Sequence, residues 1–357
     1  MQQLPCKMEK SNVDWSAFPS DLLFVISQRL SELSDFIRFR SVCKNWRLSA
    51  PRSVSPPQLP WLIKFHGMKV TYVSSLSSCK DLIIEVPQMA KKMKWIGAGK
   101  TYILACDCEN NSVSLMNPLT DEEHHLPPLP EYICTIKPVR ISSKDDITLL
   151  CYPKKIFGGV FFCRIDGERW SIVECKRESI LTVSCTYYQG MYFVIWGSSH
   201  GREMAQPTEI INATTGQVVA VINPPPGIVD NEYMVESSGE ILRVQLLHHF
   251  GHSFLIYLLD YGGSNSRWIQ LRSIGDRILF LANPWLRPNS CLYGFTLRSC
   301  NINGSKGNCI YLFTYGNDGI CLYRYDIENN TAELLRMSSL PFSIATFLGD
   351  WFVPSLH

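Results

Sequence analysis

Apolar residues recur along this chain at two different spacings, and the change from one to the other divides it. Over residues 14 to 50 the spacing is helical. In Phe18-Pro-Ser-Asp-Leu-Leu-Phe-Val-Ile-Ser-Gln-Arg-Leu30, the residues Leu22, Leu23, Ile26 and Leu30 stand at offsets of 0, 1, 4 and 8, one face of an α-helix. Pro19 and Asp21 suit its start, where a missing N–H costs nothing and a carboxylate meets the positive end of the helix dipole. Ser34-Asp35 marks a second start, with Phe36 and Ile37 as its apolar contribution. Val42, Cys43 and Trp46, at offsets of 0, 1 and 4, continue on one face. Residues 12–52 are predicted to form a small helical module.

Pro51-Arg-Ser-Val-Ser-Pro-Pro-Gln-Leu-Pro60 carries four prolines in ten residues. Proline blocks helix continuation and stiffens an extended path, so residues 53–60 predict a semi-rigid linker and a domain boundary near residue 55. From 61 to 357 the pattern is all-β. Short runs rich in Val, Ile, Tyr and Phe, such as Gly190-Met-Tyr-Phe-Val-Ile-Trp-Gly197 and Cys309-Ile-Tyr-Leu-Phe-Thr-Tyr-Gly316, are separated by Gly, Asn and Asp turns. No helical stretch is long enough to supply the crossovers of a parallel sheet.

Several runs pair across a compact turn, with centres at Thr120, Gly167, Gly216, Gly263 and Asn329, spaced 47, 49, 47 and 66 residues apart. The last interval holds the Asn- and Ser-rich stretch from Asn283 to Asn308, which is predicted to be an insertion. A hairpin-bearing repeat near 47 residues has the period of a β-propeller blade. The 297 residues from 61 to 357 suffice for six or seven blades. A large β-sandwich is the alternative, and the repeat favours the propeller.

Composition adds limits rather than chemistry. A length of 357 residues corresponds to about two domains. With 46% apolar and 18% charged residues, the chain can bury a sizeable core. The longest apolar runs, such as Phe254–Leu259, are six residues, against roughly 20 for a bilayer-crossing helix, so no membrane partner is expected. The net charge of +2 offers no polycation. Residues 1–52 carry eight basic and five acidic groups of the 34 and 32, leaving 26 and 27 beyond them, so no nucleic-acid footprint is expected either.

The first ten residues lack the apolar stretch of a secretory signal, which predicts a nuclear or cytosolic protein. The 14 cysteines are then reduced, and most are expected to be small buried hydrophobes. No C-x-x-C occurs, and the sequons at Asn110, Asn212, Asn303 and Asn329 read as turns.

Four motifs are set aside on their context. Gly197-Ser-Ser-His-Gly201 matches G-x-S-x-G, but a nucleophile elbow needs a helix after the serine, and a proline leads here into another strand. Gly97-Ala-Gly-Lys-Thr101 has Lys94 where a P-loop has its first glycine, and a strand follows. His248, His249 and His252 lack helical zinc spacing, and His124-His125 falls in a hairpin arm. Lys91-Lys-Met-Lys94 reads as a solvated turn. No catalytic residue, metal or cofactor is expected.

Two stretches resemble known families. Phe18-Pro-Ser-Asp-Leu-Leu-x-x-Ile-x-x-x-Leu30, followed by Asp35-Phe-Ile-Arg-Phe-Arg-Ser-Val-Cys-Lys-Asn-Trp-Arg47, is similar to the F-box. Phe18 stands where that motif usually has Leu, and Ser31-Glu-Leu-Ser34 replaces its Pro-containing turn. Asn117-Pro-Leu-Thr120, Leu126-Pro-Pro-Leu129, Val235–Val244, Ser273–Leu281, Asn308–Leu312 and Trp351-Phe-Val-Pro354 resemble the plant F-box proteins that carry a KIB-type β-propeller. The resemblance implies an α+β multidomain protein, a three-helix F-box followed by an all-β propeller-like domain of six or seven blades.

It also implies a partner. Phe18, Pro19, Leu22, Ile26, Leu30, Val42, Cys43 and Trp46 would form the face that binds a Skp-type adaptor, which joins the chain to a cullin. The propeller would hold an unknown protein substrate, and the ubiquitin chemistry would occur elsewhere in the assembly. From pattern alone the same residues could be the private core of a small bundle, or dock on the propeller. Two other functions stay open from the sequence: a binding protein uncoupled from any ligase, and a propeller hydrolase.

Overall fold

The structure is a computed structural model that describes residues 14–56, 59–66, 70–75, 81–84, 93–99, 101–107, 110–120, 122–129, 133–142, 146–153, 159–163, 168–174, 182–197, 203–248, 253–262, 265–283, 290–302, 306–316, 319–338 and 349–354. The chain divides into two compact units, one running to Gln58 and one spanning Leu59–Ser355.

The first unit is helical. A 3-10 turn at Trp15–Ala17 precedes Ser20–Ser27 (α1), Leu33–Ser41 (α2) and Lys44–Ser49 (α3), and a second 3-10 turn occupies Arg52–Val54 where the sequence predicted an extended linker. Leu23, Leu33, Phe36, Phe39 and Ala50 are buried. Leu22 and Leu23 are one residue apart and so point about 100° apart on α1. Leu23 is fully enclosed while Leu22 remains 51% exposed.

Two sequence expectations change here. The apolar face predicted through Leu30 stops short, because α1 ends at Ser27. The Ser27 hydroxyl donates to the Phe24 carbonyl at 2.7 Å, and the Arg29 N–H turns back to the Ile26 carbonyl, so Leu30 lies beyond the helix. Val42, Cys43 and Trp46 do not share one helical face either. Val42 caps α2, Cys43 precedes α3 in an extended conformation at φ −162°, and Trp46 lies inside α3.

The second unit is all-β. Trp61–His66 (β1), Val70–Ser75 (β2) and Asp81–Ile84 (β3) join a C-terminal strand, Gly349–Phe352 (β27), in an antiparallel sheet ordered β27-β1-β2-β3. Met93–Gly99 (β4), Tyr102–Asp107 (β5), Val113–Met116 (β6) and Glu123–Leu126 (β7) form a second sheet. Ile133–Ser142 (β8), Asp146–Pro153 (β9), Gly159–Cys163 (β10) and Ser171–Glu174 (β11) form a third. A fourth contains Asn231–Ser237 (β18), Glu240–His248 (β19), Ser253–Asp260 (β20) and Arg267–Leu271 (β21). Glu203–Met204 (β14) and Ile228–Val229 (β17) make a two-stranded ladder.

Nine further strands belong to one sheet: Thr182–Tyr188 (β12), Met191–Gly197 (β13), Thr208–Asn212 (β15), Val218–Ile222 (β16), Arg277–Asn283 (β22), Ser290–Arg298 (β23), Cys309–Gly316 (β24), Gly319–Asp326 (β25) and Thr331–Ser338 (β26). The expected six or seven separate blades are thus corrected to four among the described residues. Parallel pairing of β12 with β23 and of β22 with β24 joins into one sheet the strands that would have made further ones. The predicted insertion is corrected too, since Ser290–Arg298 is a strand paired on both sides. Leu292 and Phe295 are buried there, and the Ser184 hydroxyl donates to the Leu292 carbonyl at 3.0 Å.

Turns at Thr120, Gly216 and Asn329 separate paired strands as predicted, and Gly216 adopts the left-handed φ of +67° that a residue without Cβ allows. Gly167 and Gly263 lie outside the described residues.

Sheets follow one another around the unit. β27 lies beside β4, β4 beside β8, β8 beside β12, β12 beside β18, β18 beside β23, and β22 beside β27, so the succession returns to its start. Apolar clusters fill the spaces between neighbours, as with Tyr233, Val244 and Leu246 against Leu279, Leu281 and Ile310. Such two-sided burial explains runs like Met191–Gly197, whose five central residues are all buried.

Closure depends on Trp351. Its fully buried ring meets Phe280 edge-on at 5.4 Å and Phe313 at 5.3 Å, and its N–H donates to the Leu281 carbonyl at 2.9 Å. Trp351→Ala is expected to destabilise this unit by about 3–5 kcal/mol, read as a lowered urea midpoint. An unchanged midpoint would show that the terminal strand is not needed to close the unit.

Candidate protein-docking face on the helical unit

The apolar surface that the helical unit leaves uncovered lies mainly on α1. Pro19 ends the extended approach and its carbonyl accepts the Leu23 N–H at 3.1 Å, which starts the helix. From there Leu22, Phe24, Val25 and Ile26 all remain at least one-third exposed. Val42 adds a 55% exposed side chain at the α2–α3 break, and Leu48 a 70% exposed one on α3. Large exposed apolar residues this close in sequence, rising from a separate buried core, are the signature of a surface meant for another molecule.

The eight residues predicted for that face therefore divide. Pro19, Leu22, Ile26 and Val42 are exposed. Phe18, Leu30, Cys43 and Trp46 are half-buried. Phe18 stacks on Trp15 with ring centroids 6.0 Å apart. Trp46 packs on Phe39 at 4.6 Å and its indole N–H donates to the Trp15 carbonyl at 2.9 Å. The Trp46 indole thus ties the N-terminal turn down while its ring packs on the core.

Asn45, which no sequence signal singled out, performs the same task. Its side-chain amide donates to the carbonyls of Ser16 at 3.0 Å and Phe18 at 2.9 Å, and its oxygen accepts from the Ser20 hydroxyl at 3.3 Å. One α3 side chain therefore fixes the turn that leads into α1. Asn45→Ala is expected to cost about 1–3 kcal/mol locally. Amide exchange at Phe18–Leu23 should accelerate about five- to 150-fold, since 1.4 kcal/mol is a factor of ten; unchanged exchange would refute the clamp.

The C-terminal side of the unit is held by arginines. Arg40 donates to the carbonyls of Ala50 and Arg47, and Arg47 Nε returns a bond to the Arg40 carbonyl at 3.3 Å. Burial, then the charges of Arg52 and Arg47, lower the Arg40 pKa below the ordinary guanidinium value.

Two of the remaining motifs are corrected where they are described: Lys94 lies on β4, paired with Cys106, rather than in a turn, and His248 is the last residue of β19, paired with Ser253, rather than in a loop. Gly97 and Gly99 lie on β4, paired with Leu104 and Tyr102 on β5, so the loop is a hairpin and not a phosphate cradle. His124 and His125 lie on β7, the first 2.9 Å from the Glu122 carboxylate and the second 3.1 Å from the Ser114 hydroxyl. Ser198–His200 and Gly201 of the G-x-S-x-G match, His249, His252 and Lys91 are outside the described residues. Among the described residues no three His, Cys, Asp or Glu side chains gather as metal ligands. Cys163, Cys185, Cys309 and Cys321 are buried and unbridged, and burial pushes the Cys163 thiol up to about 12. Cys300 is exposed, so the expected burial of cysteines is not general.

Comparison with known proteins connects both units to one family. The F-box domain family matches residues 15–50, and the KIB1-4 beta-propeller family matches residues 73–329. The putative F-box protein At4g22180 of Arabidopsis thaliana is 31% identical over 397 aligned residues, covering 96% of this chain and 94% of its own. The putative F-box protein At5g66830 of the same plant is 25% identical, covering 97% and 95%. The F-box protein SKIP23, also of Arabidopsis thaliana, is 53% identical over 45 residues, 12% of this chain and 11% of its own. With an F-box on its helical unit and a family-matched β unit covering residues 73–329, this chain belongs to the F-box proteins with a KIB1-4 β-propeller.

Proposed function

We propose that this chain is the substrate-recognition subunit of a Skp–cullin–F-box ubiquitin ligase, in which the helical unit binds a Skp-type adaptor and the propeller binds the protein to be ubiquitinated. The observation that carries this reading is the exposed row Leu22, Val25 and Ile26 on α1, set against a core that Leu23, Leu33, Phe36 and Phe39 already fill. These residues are not spare core: the unit has its own. Completing the burial of a large apolar side chain contributes about 1.5–3 kcal/mol at most, so a few anchors support a stable interface after association entropy is met.

On this reading the chain contributes proximity and no catalytic group. Holding a target near a charged ubiquitin-conjugating enzyme raises its effective concentration, which is the whole of the rate advantage such a receptor supplies. It would act in the nucleus or the cytosol. Co-expression of the full chain with a plant Skp-type adaptor tests the proposal. Stoichiometric co-purification supports it, and failure of the wild-type chain to retain the adaptor overturns it.

A further inference from the structure

Between Asp35 and Asp81 the sequence contains no Asp or Glu. The part of this stretch that belongs to the helical unit carries Arg38, Arg40, Lys44, Arg47 and Arg52. Arg38 is paired with Asp35 at 3.1 Å, and the other four are in no ion pair among the described residues.

α3 has two unlike sides. Asn45, Trp46 and Ser49 turn inward, the first two holding the N-terminal turn and the third buried. Lys44, Arg47 and Leu48 stand at offsets of 0, 3 and 4, which is one helical face, and all three are exposed, Leu48 at 70%. Arg52 is exposed on the 3-10 turn that follows. Arg40 joins them from α2. Its guanidinium lies on the carbonyls of Arg47 and Ala50, and Arg47 Nε donates to the Arg40 carbonyl at 3.3 Å. Besides burial, the charges of Arg52 and Arg47 act on it, so these guanidiniums are close enough to repel one another. The backbone bonds hold two of them in place before any partner arrives, which removes part of the entropy cost of ordering them. Like charges gathered without an anion are a cost to the free protein that a negatively charged partner recovers.

Leu48 narrows the chemistry of that partner. A nucleic-acid backbone would answer the cations and leave the exposed leucine in water, whereas an acidic protein segment can answer both. We propose, resting on the adaptor reading above, that the outer face of α3 is the charged margin of the adaptor interface. There an acidic segment of the Skp-type adaptor places carboxylates against Arg40, Lys44, Arg47 and Arg52, and an apolar side chain on Leu48. Val42, 55% exposed at the α2–α3 break, is two residues from Lys44 and links this face to the apolar residues assigned to the same partner. Charges at an interface margin act mainly on encounter: they steer the partner in and fix its register, while apolar anchors hold it. The α1 row thus sets how slowly the adaptor leaves, and the α3 face how quickly it arrives.

Surface plasmon resonance between the full chain and a purified plant Skp-type adaptor, from about 0.05 to 0.5 M NaCl, tests this, because the screening length shortens roughly threefold over that range. The wild-type association rate is expected to fall at least about tenfold. Lys44→Glu combined with Arg52→Glu reverses two exposed charges that make no side-chain hydrogen bond among the described residues. It is expected to slow low-salt association at least about tenfold and flatten the salt dependence, with dissociation changed less than about threefold. Leu48→Ser is expected to do the opposite, speeding dissociation about fivefold at an unchanged association rate. Association that ignores both salt and the charge reversal overturns the proposal and leaves the α1 reading intact. A chain that captures no adaptor at all overturns the α1 reading and this one with it. A charge reversal that leaves adaptor association unchanged but removes binding to anionic lipid vesicles or to a DNA duplex also overturns it, and assigns the face to that polyanion.

Discussion

Replacing Leu22 and Ile26 together by Asp is expected to abolish retention of a Skp-type adaptor while leaving the chain folded. Both side chains are already about half in water, at 51% and 41% exposure, so two carboxylates there change the free protein little. Surface substitutions of this kind usually stay within about 0.5 kcal/mol. Against an apolar partner the balance reverses. Each change forfeits the remaining part of an anchor's transfer, at most about 1.5–3 kcal/mol, and asks a carboxylate to lose its water without a counter-charge, which costs more. A combined loss of about 3 kcal/mol or more is at least a hundredfold in affinity. Titration calorimetry reads the loss, and circular dichroism with a thermal scan reads the fold. Binding within threefold of wild type would remove α1 from the interface.

The neighbouring residue makes the contrast that gives this test its meaning. Leu23→Asp places a carboxylate in a fully enclosed site and should unfold the helical unit outright. Trp46→Ala is a poor probe of binding despite its place in the F-box pattern, because it releases the Trp15 carbonyl and the Phe39 ring together. A loss of adaptor in that variant would report the detached N-terminal turn.

Arg243→Met is expected to destabilise the β unit by about 3–5 kcal/mol. Arg243 is fully buried on β19, and each guanidinium nitrogen has a partner. Its Nε and Nη2 donate to Glu232 Oε1 at 2.9 and 2.5 Å, Nη1 to the Thr208 hydroxyl at 3.2 Å, and Nη2 to the Gln206 carbonyl at 2.7 Å. Gln245 donates to the same Glu232 oxygen at 2.8 Å, and the Gln206 N–H to the other at 3.1 Å. The guanidinium also lies 5.6 Å from the centre of the Trp268 ring. Burial lowers its pKa, and the Glu232 carboxylate opposes that shift.

Met fills comparable volume but leaves the Glu232 carboxylate, itself 6% exposed, with amide donors and no counter-charge. Breaking a buried pair from one side typically costs about 3–5 kcal/mol, a large part of the 5–15 kcal/mol that holds an ordinary domain together. Arg243→Met combined with Glu232→Leu should recover part of the loss, since two well-filled apolar positions cost less than one stranded charge. Urea unfolding of the single and double variants measures the coupling. A single-variant effect below about 1 kcal/mol would show that water reaches the carboxylate.

Against these side-chain results, the legibility of the sequence was uneven in an instructive way. Hairpins at Thr120, Gly216 and Asn329 were readable because tight turns are local and demand particular residues. The docking row on α1 was only half readable. Helical spacing placed Leu22, Leu23 and Ile26 together, yet periodicity has no term for which of two adjacent leucines meets the core. Asn45 and Arg243 carried no signal, because a capping or ion-pair role depends on partners 11 to 37 residues away.

The chain's own order of residues determined the division into a helical unit and an all-β unit, the strand-forming runs, and the F-box pattern from Phe18 to Arg47. These follow from spacing and turn chemistry, which act over a few residues. The tertiary structure alone decided that, among the described residues, four four-stranded sheets and a two-stranded ladder stand separate while nine strands fuse through β12, β23, β22 and β24, because parallel pairing joins segments far apart in sequence. It likewise decided that Trp46 anchors while Leu22 is presented, and that Arg243 has a buried carboxylate. Each is a matter of which surface a side chain finds opposite it, and that surface is assembled from the rest of the chain.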